Sequence, residues 1–310
     1  MYLGIDTSNY TSSCAVYDEK NDVFFSKKQL LPVAAGQLGL RQSDAVFHHT
    51  KNLPGLLSEL CSKYAEFITS VGASYAPRDA EGSYMPCFSV GEGYADVISA
   101  SLKAEKHSFS HQAGHIAAAL WSSKQTHLVN EKFISFHVSG GTTDVLLVTP
   151  DDENIFKIEM IASSLDLKAG QAVDRTGVML GLQFPAGVEI DRLSLLSSKT
   201  YKTHPFMRNG SCSFSGIENK CKQMLENDEK QEDIAKYCIT YICDAIDKMT
   251  EYAINKVGDV PIIYAGGVMS NTIINKTLSN KYNGHFAEPY YSSDNAAGIA
   301  YLTYLKENRK

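Results

Sequence analysis

Two histidines lie four residues apart in the segment SFSHQAGHIAAAL, which covers residues 108–120. The alanine-rich run after them predicts a helix, with Ser108 or Ser110 as its N-cap, and residues i and i+4 of a helix share one face. His111 and His115 can therefore point at one object, such as a metal ion. A metal needs at least one more ligand, so two polar side chains bonded to a neighbouring loop remain the alternative.

A carboxylate in a suitable setting occurs near the end of the sequence, in the segment YYSSDNAAGIAYLTYL. Asp294 directly precedes an apolar helical pattern, and the simplest interpretation is that it caps this helix. Two histidines and one carboxylate, with further positions open, are also the ligand set of catalytic zinc and of non-haem iron. Asp294 is therefore the candidate third ligand.

Two turns carry residue types that bind anions or orient metals. In SGGTT, residues 139–143, the glycines let backbone N–H groups approach an anion, while Ser139, Thr142 and Thr143 add hydroxyl donors. Such a turn is also common in hairpins that bind nothing. Asp6 ends an apolar strand, where its carboxylate either orients a metal, a water or a phosphate, or caps its own turn. Both interpretations stay open at each turn.

A third glycine-containing junction occurs in PIIYAGGVMSN, residues 261–271. An apolar strand runs through Gly266 and Gly267 into a helix that is expected to start near Asn271. Glycines at a strand-to-helix junction permit the close approach of a ligand. The Asn271 side chain can then bind a nucleobase or a ribose hydroxyl.

The elements that position these residues form a repeated pattern. A strand, a turn, a second strand, an acidic turn and a third strand follow each other from residue 2 and again from residue 133. Helical patterns lie between and after them, at 89–106 and at about 233–256. The repetition predicts an α/β protein of two similar domains that face a cleft. The turn after Asp6 and the SGGTT turn are expected on opposite sides of this cleft.

The polar stretch 125–131 is the predicted boundary between these domains. The first domain is expected at 1–125 and the second at 126–294, and a terminal helix at about 295–310 is expected to pack back on the first. A chain of 310 residues is long enough for two cores.

The composition and charge of the sequence indicate its expected cellular location and limit the kinds of partner it is expected to bind. The sequence shows no run of about 18 apolar residues and no signal-peptide pattern, so no membrane association is expected. Seven scattered cysteines without a C-x-x-C pair indicate reduced thiols in a cytoplasm. The net charge is −6 and no basic stripe is visible, so an RNA partner would be contacted over a small patch or together with other proteins.

Six segments resemble the motifs of one protein family and follow each other in that family's order. They are HQAGHI, HVSGGTTDVLLV, AVDRTGVMLGLQFPAGVEIDRLS, CSFSGIENK, AGGVMSN and YSSDNAAGIA. The family is that of the catalytic subunit of tRNA threonylcarbamoyladenosine synthase, formerly described as O-sialoglycoprotein endopeptidases or glycoproteases. The resemblance implies two duplicated RNase H-like domains of the actin-like and sugar-kinase-like ATPase fold, with an interdomain cleft.

The resemblance also implies cofactors, chemistry and partners. One divalent zinc or iron ion is expected on His111, His115 and Asp294. The amine of a tRNA adenosine next to the anticodon would attack threonylcarbamoyl-adenylate, and AMP would leave. Companion subunits or a homodimer are the expected assembly. An adenine nucleotide (ATP, AMP or threonylcarbamoyl-adenylate) is expected on Val138, Ser139, Gly140, Gly141, Thr142, Asp174, Gly187, Asp191 and Asn271.

The sequence departs from the family on the substrate side. The loop that usually reads E-T-S-C-D-E-T is here Asp6-Thr7-Ser8-Asn9-Tyr10-Thr11, which lacks the later carboxylates. A family Glu is replaced by Gln171, and a family Gly by Ala186. These changes predict a divergent paralogue, in which Asp6 and Tyr10 are the candidate catalytic residues.

The sequence is compatible with four functional hypotheses. A threonylcarbamoyl transferase acting on tRNA is preferred, and a non-catalytic nucleotide-binding scaffold, or a paralogue with a different acceptor, is the main alternative. A metalloprotease is disfavoured because Gln112 stands where H-E-x-x-H enzymes place their general base. A sugar or acetate kinase shares the fold but does not need His111 and His115 together.

Overall fold

A computed structural model describes residues 1–8, 10–32, 40–291 and 295–309. The chain forms two compact units. Unit 1 comprises Met1–Ser122, Asp151–Phe156 and Tyr290–Lys310, and unit 2 comprises Ser123–Pro150 and Lys157–Pro289. The units divide between Ser122 and Ser123, a few residues before the stretch that the sequence suggests, and the segment Asp151–Phe156 joins unit 1.

The elements follow each other in three groups along the chain. The first group is β1 (Tyr2–Asp6), β2 (Thr11–Asp18), β3 (Val23–Leu30), α1 (Gln42–Tyr64), β4 (Ser70–Ala76), α2 (Phe88–Leu102), β5 (Glu105–Ser110) and α3 (His111–Ser122). The second is β6 (Phe133–Val138), β7 (Thr143–Asp151), β8 (Ile155–Ser163), α4 (Ala169–Met179), α5 (Gly187–Leu196), β9 (Met207–Arg208), β10 (Ser211–Cys212), α6 (Ser215–Glu226), α7 (Gln231–Val257), β11 (Ile262–Ala265), α8 (Thr272–Tyr282) and β12 (His285–Phe286). The last described element is α9 (Asn295–Asn308).

Two five-stranded sheets have the same strand order. The first runs β3-β2-β1-β4-β5 and the second β8-β7-β6-β11-β12. In each sheet the first strand pairs antiparallel with the second strand of its hairpin and parallel with the strand that follows a helical connection. The duplicated α/β architecture predicted from the repeated hairpins is confirmed.

The first sheet is covered on both faces. All five residues of β1 are buried: α9 packs against β1, β2 and β4, while α1 contacts β2 and α2 contacts β1 and β4. Leu3 and Ile5 join Leu53 and Val71 in one core cluster. A strand buried on both faces reads as a continuous apolar run, which explains the sequence YLGID.

Unit 2 has its own core around the long helix α7. The predicted helical face is buried, and the helix covers Gln231–Val257, close to the expected bounds. Ile234, Cys238, Ile242 and Met249 from this face are fully or almost fully buried in the same cluster as Phe136 of β6.

The predicted helix at 89–106 is wrong at its end. Helix α2 stops at Leu102, where Lys103 adopts a left-handed conformation with φ 55°. Residues from Glu105 onward form β5, which pairs in parallel with β4. The sheet edge therefore overrides the helical periodicity in the last four residues of the pattern. Among the described helices, none has both the length and the apolar character needed to cross a bilayer.

Candidate functional site

The histidine helix begins directly where an edge strand ends. Strand β5 finishes at Ser110 and helix α3 starts at His111. The Ser110 hydroxyl accepts a hydrogen bond from the N–H of Ala113 at 3.3 Å, as a capping serine does. The N–H of Gln112 donates to the carbonyl of Pro77 at 3.0 Å. The sheet therefore fixes the position from which both histidines project.

His111 and His115 lie side by side, with ring centroids 4.7 Å apart. His111 Nδ1 is 2.9 Å from Asp6 Oδ1, and the Asp6 carboxylate is buried at the end of β1. Burial alone raises the pKa of Asp6, but the charge of the His111 ring and the hydrogen bonds from His111 and Ser8 lower it below its ordinary value. An ionised Asp6 accepts a hydrogen bond from the Nδ1–H of His111 and so orients the ring, with Nε2 directed towards Asn295.

Asn295, the first residue of α9, is a further polar group at this centre. Its side chain is buried, and its Nδ2 lies 2.8 Å from His111 Nε2. Its Oδ1 is buried and has no hydrogen-bond partner among the described residues. An unsatisfied acceptor beside two imidazoles fits a cation. Asp294, the predicted third ligand, lies outside the described residues, so its role stays a prediction.

The loop after β1 carries the other candidate catalytic residue. Thr7 ties the start of the loop to α2, since its Oγ1 donates to the Cys87 carbonyl at 2.9 Å and accepts from Gly91 N at 3.1 Å. Tyr10 holds the far end, where its carbonyl accepts from Leu31 N at 2.9 Å. The Tyr10 side chain is 46% exposed, so it is accessible to a substrate. Asn9 lies outside the described residues.

Unit 2 contains a pocket of about 320 Å³ that gathers most of the predicted nucleotide residues. This volume is at the lower end of the range of small-ligand sites. Of the predicted residues, Gly140, Asp174, Gly187, Asp191 and Asn271 line it. The others, Val138, Ser139, Gly141 and Thr142, belong to β6 and the adjoining turn and are not among the lining residues.

The SGGTT turn uses part of its hydrogen-bonding capacity internally. The Ser139 hydroxyl accepts from Gly141 N at 3.3 Å and from Thr142 N at 3.1 Å. Thr143 Oγ1 accepts from Ala169 N at 2.9 Å. Serine and threonine hydroxyls often close turns in this way. Within this turn, Gly140 is the residue that lines the pocket, and a Cβ atom there would meet nothing within 4 Å.

Two glycines outside the predicted site residues bring backbone segments together. A Cβ atom on Gly170 would lie 2.5 Å from Gly140 N, so only glycine lets α4 approach the turn. Gly266 has φ +102°, and a Cβ atom there would lie 2.2 Å from the Val138 carbonyl oxygen. Gly266 belongs to the Gly-Gly pair that the sequence marks, whereas Gly170 has no pattern of its own.

Acidic and amide groups form the polar side of the pocket. Asp174 accepts from Ala186 N at 2.8 Å, and burial raises its pKa above the ordinary value despite this bond. Asp191 accepts from Asn271 Nδ2 at 2.7 Å and from Thr272 Oγ1 at 2.8 Å. Asn271 Oδ1 caps α8, so this amide also has a structural role. A fixed carboxylate–amide pair can bind the hydroxyls of a sugar.

Comparison with known proteins shows the relatives of this chain. Residues 37–301 match the family described as TsaD: tRNA N6-adenosine threonylcarbamoyltransferase. The Thermotoga neapolitana protein of that name is 29% identical over 321 residues, which cover 99% of this chain and 94% of the relative. The Chloroherpeton thalassium protein of that name is 30% identical over 244 residues, which cover 71% of this chain and 68% of the relative.

Solved structures support the fold. The (R)-2-hydroxyglutaryl-CoA dehydratase component A of Acidaminococcus fermentans aligns with a TM-score of 0.58 and 17% identity, over 99% of this chain and 98% of that one. HypF of T. kodakarensis aligns with a TM-score of 0.62 and 12% identity, over 99% of this chain and 48% of that one. These likenesses concern the actin-like architecture alone. By the extent of the sequence match, the chain belongs to the tRNA N6-adenosine threonylcarbamoyltransferase family, a family of transferases.

Proposed function

We propose that this protein transfers a threonylcarbamoyl group to the exocyclic amine of a tRNA adenosine next to the anticodon. The donor is threonylcarbamoyl-adenylate. The amine nitrogen bonds to the carbamoyl carbon, the bond from that carbon to the adenylate oxygen breaks, the amine loses a proton and AMP leaves. The observation that carries the proposal is the family match over residues 37–301.

The pocket of unit 2 is the proposed site of the adenylate part. Gly140 and Gly267 leave room for a phosphate to approach the backbone, and Asp191 with Asn271 offers polar partners for the ribose. Burial raises the pKa of Asp174, so its carboxylate is easier to protonate than an exposed one. The proposed ligand is therefore an adenine nucleotide: ATP, AMP or the carbamoyl adenylate.

The proposed metal ligands are His111, His115 and Asp294, with zinc or iron as the ion. A bound metal would act as Lewis acid and template at the carbamoyl group. The chain's own contribution is to orient the imidazoles: Asp6 holds His111 through Nδ1, and β5 fixes the start of α3. Tyr10 is proposed to donate a hydrogen bond to a phosphate or carbonyl oxygen of the substrate.

The proposed partners are tRNA and companion subunits of the transfer complex, with a homodimer as the other assembly. The net charge of −6 supports binding of RNA together with other proteins rather than by this chain by itself. A reducing cytoplasm is the proposed location, and the seven cysteines are free thiols.

A non-catalytic scaffold that binds nucleotide is the second candidate. It is favoured by the loop Asn9-Tyr10-Thr11, which lacks the carboxylates of the family pattern. In this case the pocket of unit 2 would bind nucleotide without turnover.

One assay separates the two candidates. The protein is mixed with threonylcarbamoyl-adenylate, unmodified tRNA and companion subunits, and modified adenosine is measured by mass spectrometry of the digested tRNA. Product that requires this chain supports the transferase. AMP binding without product, when a known family member forms product in the same mixture, supports the scaffold and contradicts the proposed transfer.

A further inference from the structure

We infer that Glu105, His107 and Glu307 form a second divalent-cation site in unit 1, of the zinc-binding class. Glu105 and His107 are alternate residues of the edge strand β5 and therefore lie on one face of the sheet. Glu307 lies in the last turn of α9. One potential ligand atom from each side chain lies within 4.8 Å of the other two.

The distances between these atoms suit a tetrahedral ion. His107 Nε2 is 2.5 Å from Glu307 Oε1 and 4.0 Å from Glu105 Oε2. Metal–ligand bonds of about 2.1 Å place tetrahedral ligand atoms about 3.4 Å apart, between these two values. Small side-chain rotations therefore bring all three atoms into range. One imidazole with two carboxylates favours zinc over calcium or magnesium, which prefer oxygen ligands alone.

The charges around the cluster favour a cation. Lys106 points to the opposite face of β5, where it binds Glu92 at 3.2 Å and Asp96 at 2.7 Å. Lys306 donates to the backbone carbonyl of Asp152 at 3.4 Å. A carboxylate in the last turn of a helix also faces the negative end of the helix dipole. A dication would supply the positive charge that these two lysines direct elsewhere, and it would offset the unfavourable position of Glu307 at the negative end of the helix dipole. The Glu105 side chain is 62% exposed, which gives an ion access from solvent.

The site would act as a clamp between β5 and α9. Helix α9 contacts this part of the chain near both of its ends: His107 of β5 contacts Glu307 near the end of α9, and His111 of α3, directly after β5, contacts Asn295 at its start. An ion on the first contact fixes β5 relative to α9, and thereby stabilises the placement of the His111 centre at the second. This inference concerns residues outside the proposed catalytic site and does not depend on the transfer reaction.

The test uses zinc chloride as the probe and isothermal titration calorimetry as the measurement. The His111→Ala/His115→Ala variant removes the imidazoles of the other candidate centre, and it is expected to keep one zinc equivalent. Adding His107→Ala in this background is expected to lower the affinity at least about tenfold, as is adding Glu307→Gln. Adding His127→Ala, at an exposed histidine of unit 2, is the matched control and is expected to change nothing.

A stability measurement gives a second readout. Zinc is expected to raise the unfolding temperature of the His111→Ala/His115→Ala variant, because a ligand that binds only the folded state stabilises it. It should not do so once Glu307→Gln is added, a substitution that preserves size and keeps the test valid if His107→Ala folds poorly. The inference is overturned if the double variant binds no zinc, or if Glu307→Gln leaves its zinc affinity unchanged.

Discussion

Asp6 is a single buried carboxylate that orients a candidate metal ligand. Its Oδ1 lies 2.9 Å from His111 Nδ1 at the end of a fully buried strand. We predict that Asp6→Asn lowers zinc affinity at this centre about 10- to 100-fold, because the neutral amide fixes the imidazole less strongly. The measurement is a zinc titration in a His107→Ala background, which removes the second proposed site. Asp44→Asn, at an exposed position of α1, is the control; equal affinities of the two variants would contradict the prediction.

Tyr10 separates the two candidate functions. Its phenol is exposed, and the phenol O–H can donate a hydrogen bond to a substrate oxygen. If the protein is a transferase, Tyr10→Phe is expected to lower the rate of threonylcarbamoyl transfer at least about tenfold, as loss of an oxyanion donor does. Tyr84→Phe, at a tyrosine that is 70% exposed, is the control. Robust transfer that Tyr10→Phe leaves unchanged would exclude this role of the loop.

Long periodic elements could be predicted from the sequence, and short edge elements could not. The two hairpins and α7 carry enough alternating or helical apolar residues for their type to be read directly. Strand β5 could not be predicted because its six residues, EKHSFS, contain one apolar side chain and follow a helical pattern without a break. It forms because β4 is available as a parallel partner. That strand lies about 30 residues earlier in the chain, so the local sequence pattern does not reveal the pairing.

The candidate sites were predictable where chemistry and spacing coincide. His111 and His115 stand out by their spacing, and the glycine turns by their position after strands. Asn295 and the bond from Asp6 to His111 could not be predicted in the same way, because they depend on β1, α3 and α9 meeting in space. The internal bonding of Ser139 likewise depends on the exact turn geometry.

The packing of α9 on β1 supports the histidine centre at the level of elements. A Cβ atom on Gly4 would lie 2.3 Å from the carbonyl oxygen of Ala296 and from the N atom of Ala300. Gly4→Ala is therefore expected to destabilise the protein by about 1–3 kcal/mol through overpacking. Gly55→Ala in α1, where a Cβ meets nothing within 4 Å, is the control and is expected to be neutral or stabilising. Urea unfolding measures both; an unchanged midpoint for Gly4→Ala would show that α9 does not pack this closely.

At the scale of the whole molecule, duplication has produced two units with the same sheet order but different candidate sites. The histidine centre consists of residues of unit 1: Asp6, His111, His115 and Asn295. The pocket proposed for the nucleotide is lined by residues of unit 2. The same architecture thus presents imidazoles at a strand-to-helix junction in one unit and glycine-rich turns in the other.

This division predicts that metal and nucleotide binding can be removed separately. Gly140→Val is expected to weaken AMP binding at least about tenfold, since the new side chain occupies a position that is open towards the pocket. Gly216→Val in α6, at a site equally free of neighbours, is the control. Zinc binding by Gly140→Val should equal that of the unmodified protein, while His111→Ala/His115→Ala should lose one zinc equivalent and keep its AMP affinity. If Gly140→Val binds AMP normally, the pocket assignment is wrong; if each change removes both ligands, the two sites do not lie within separate units.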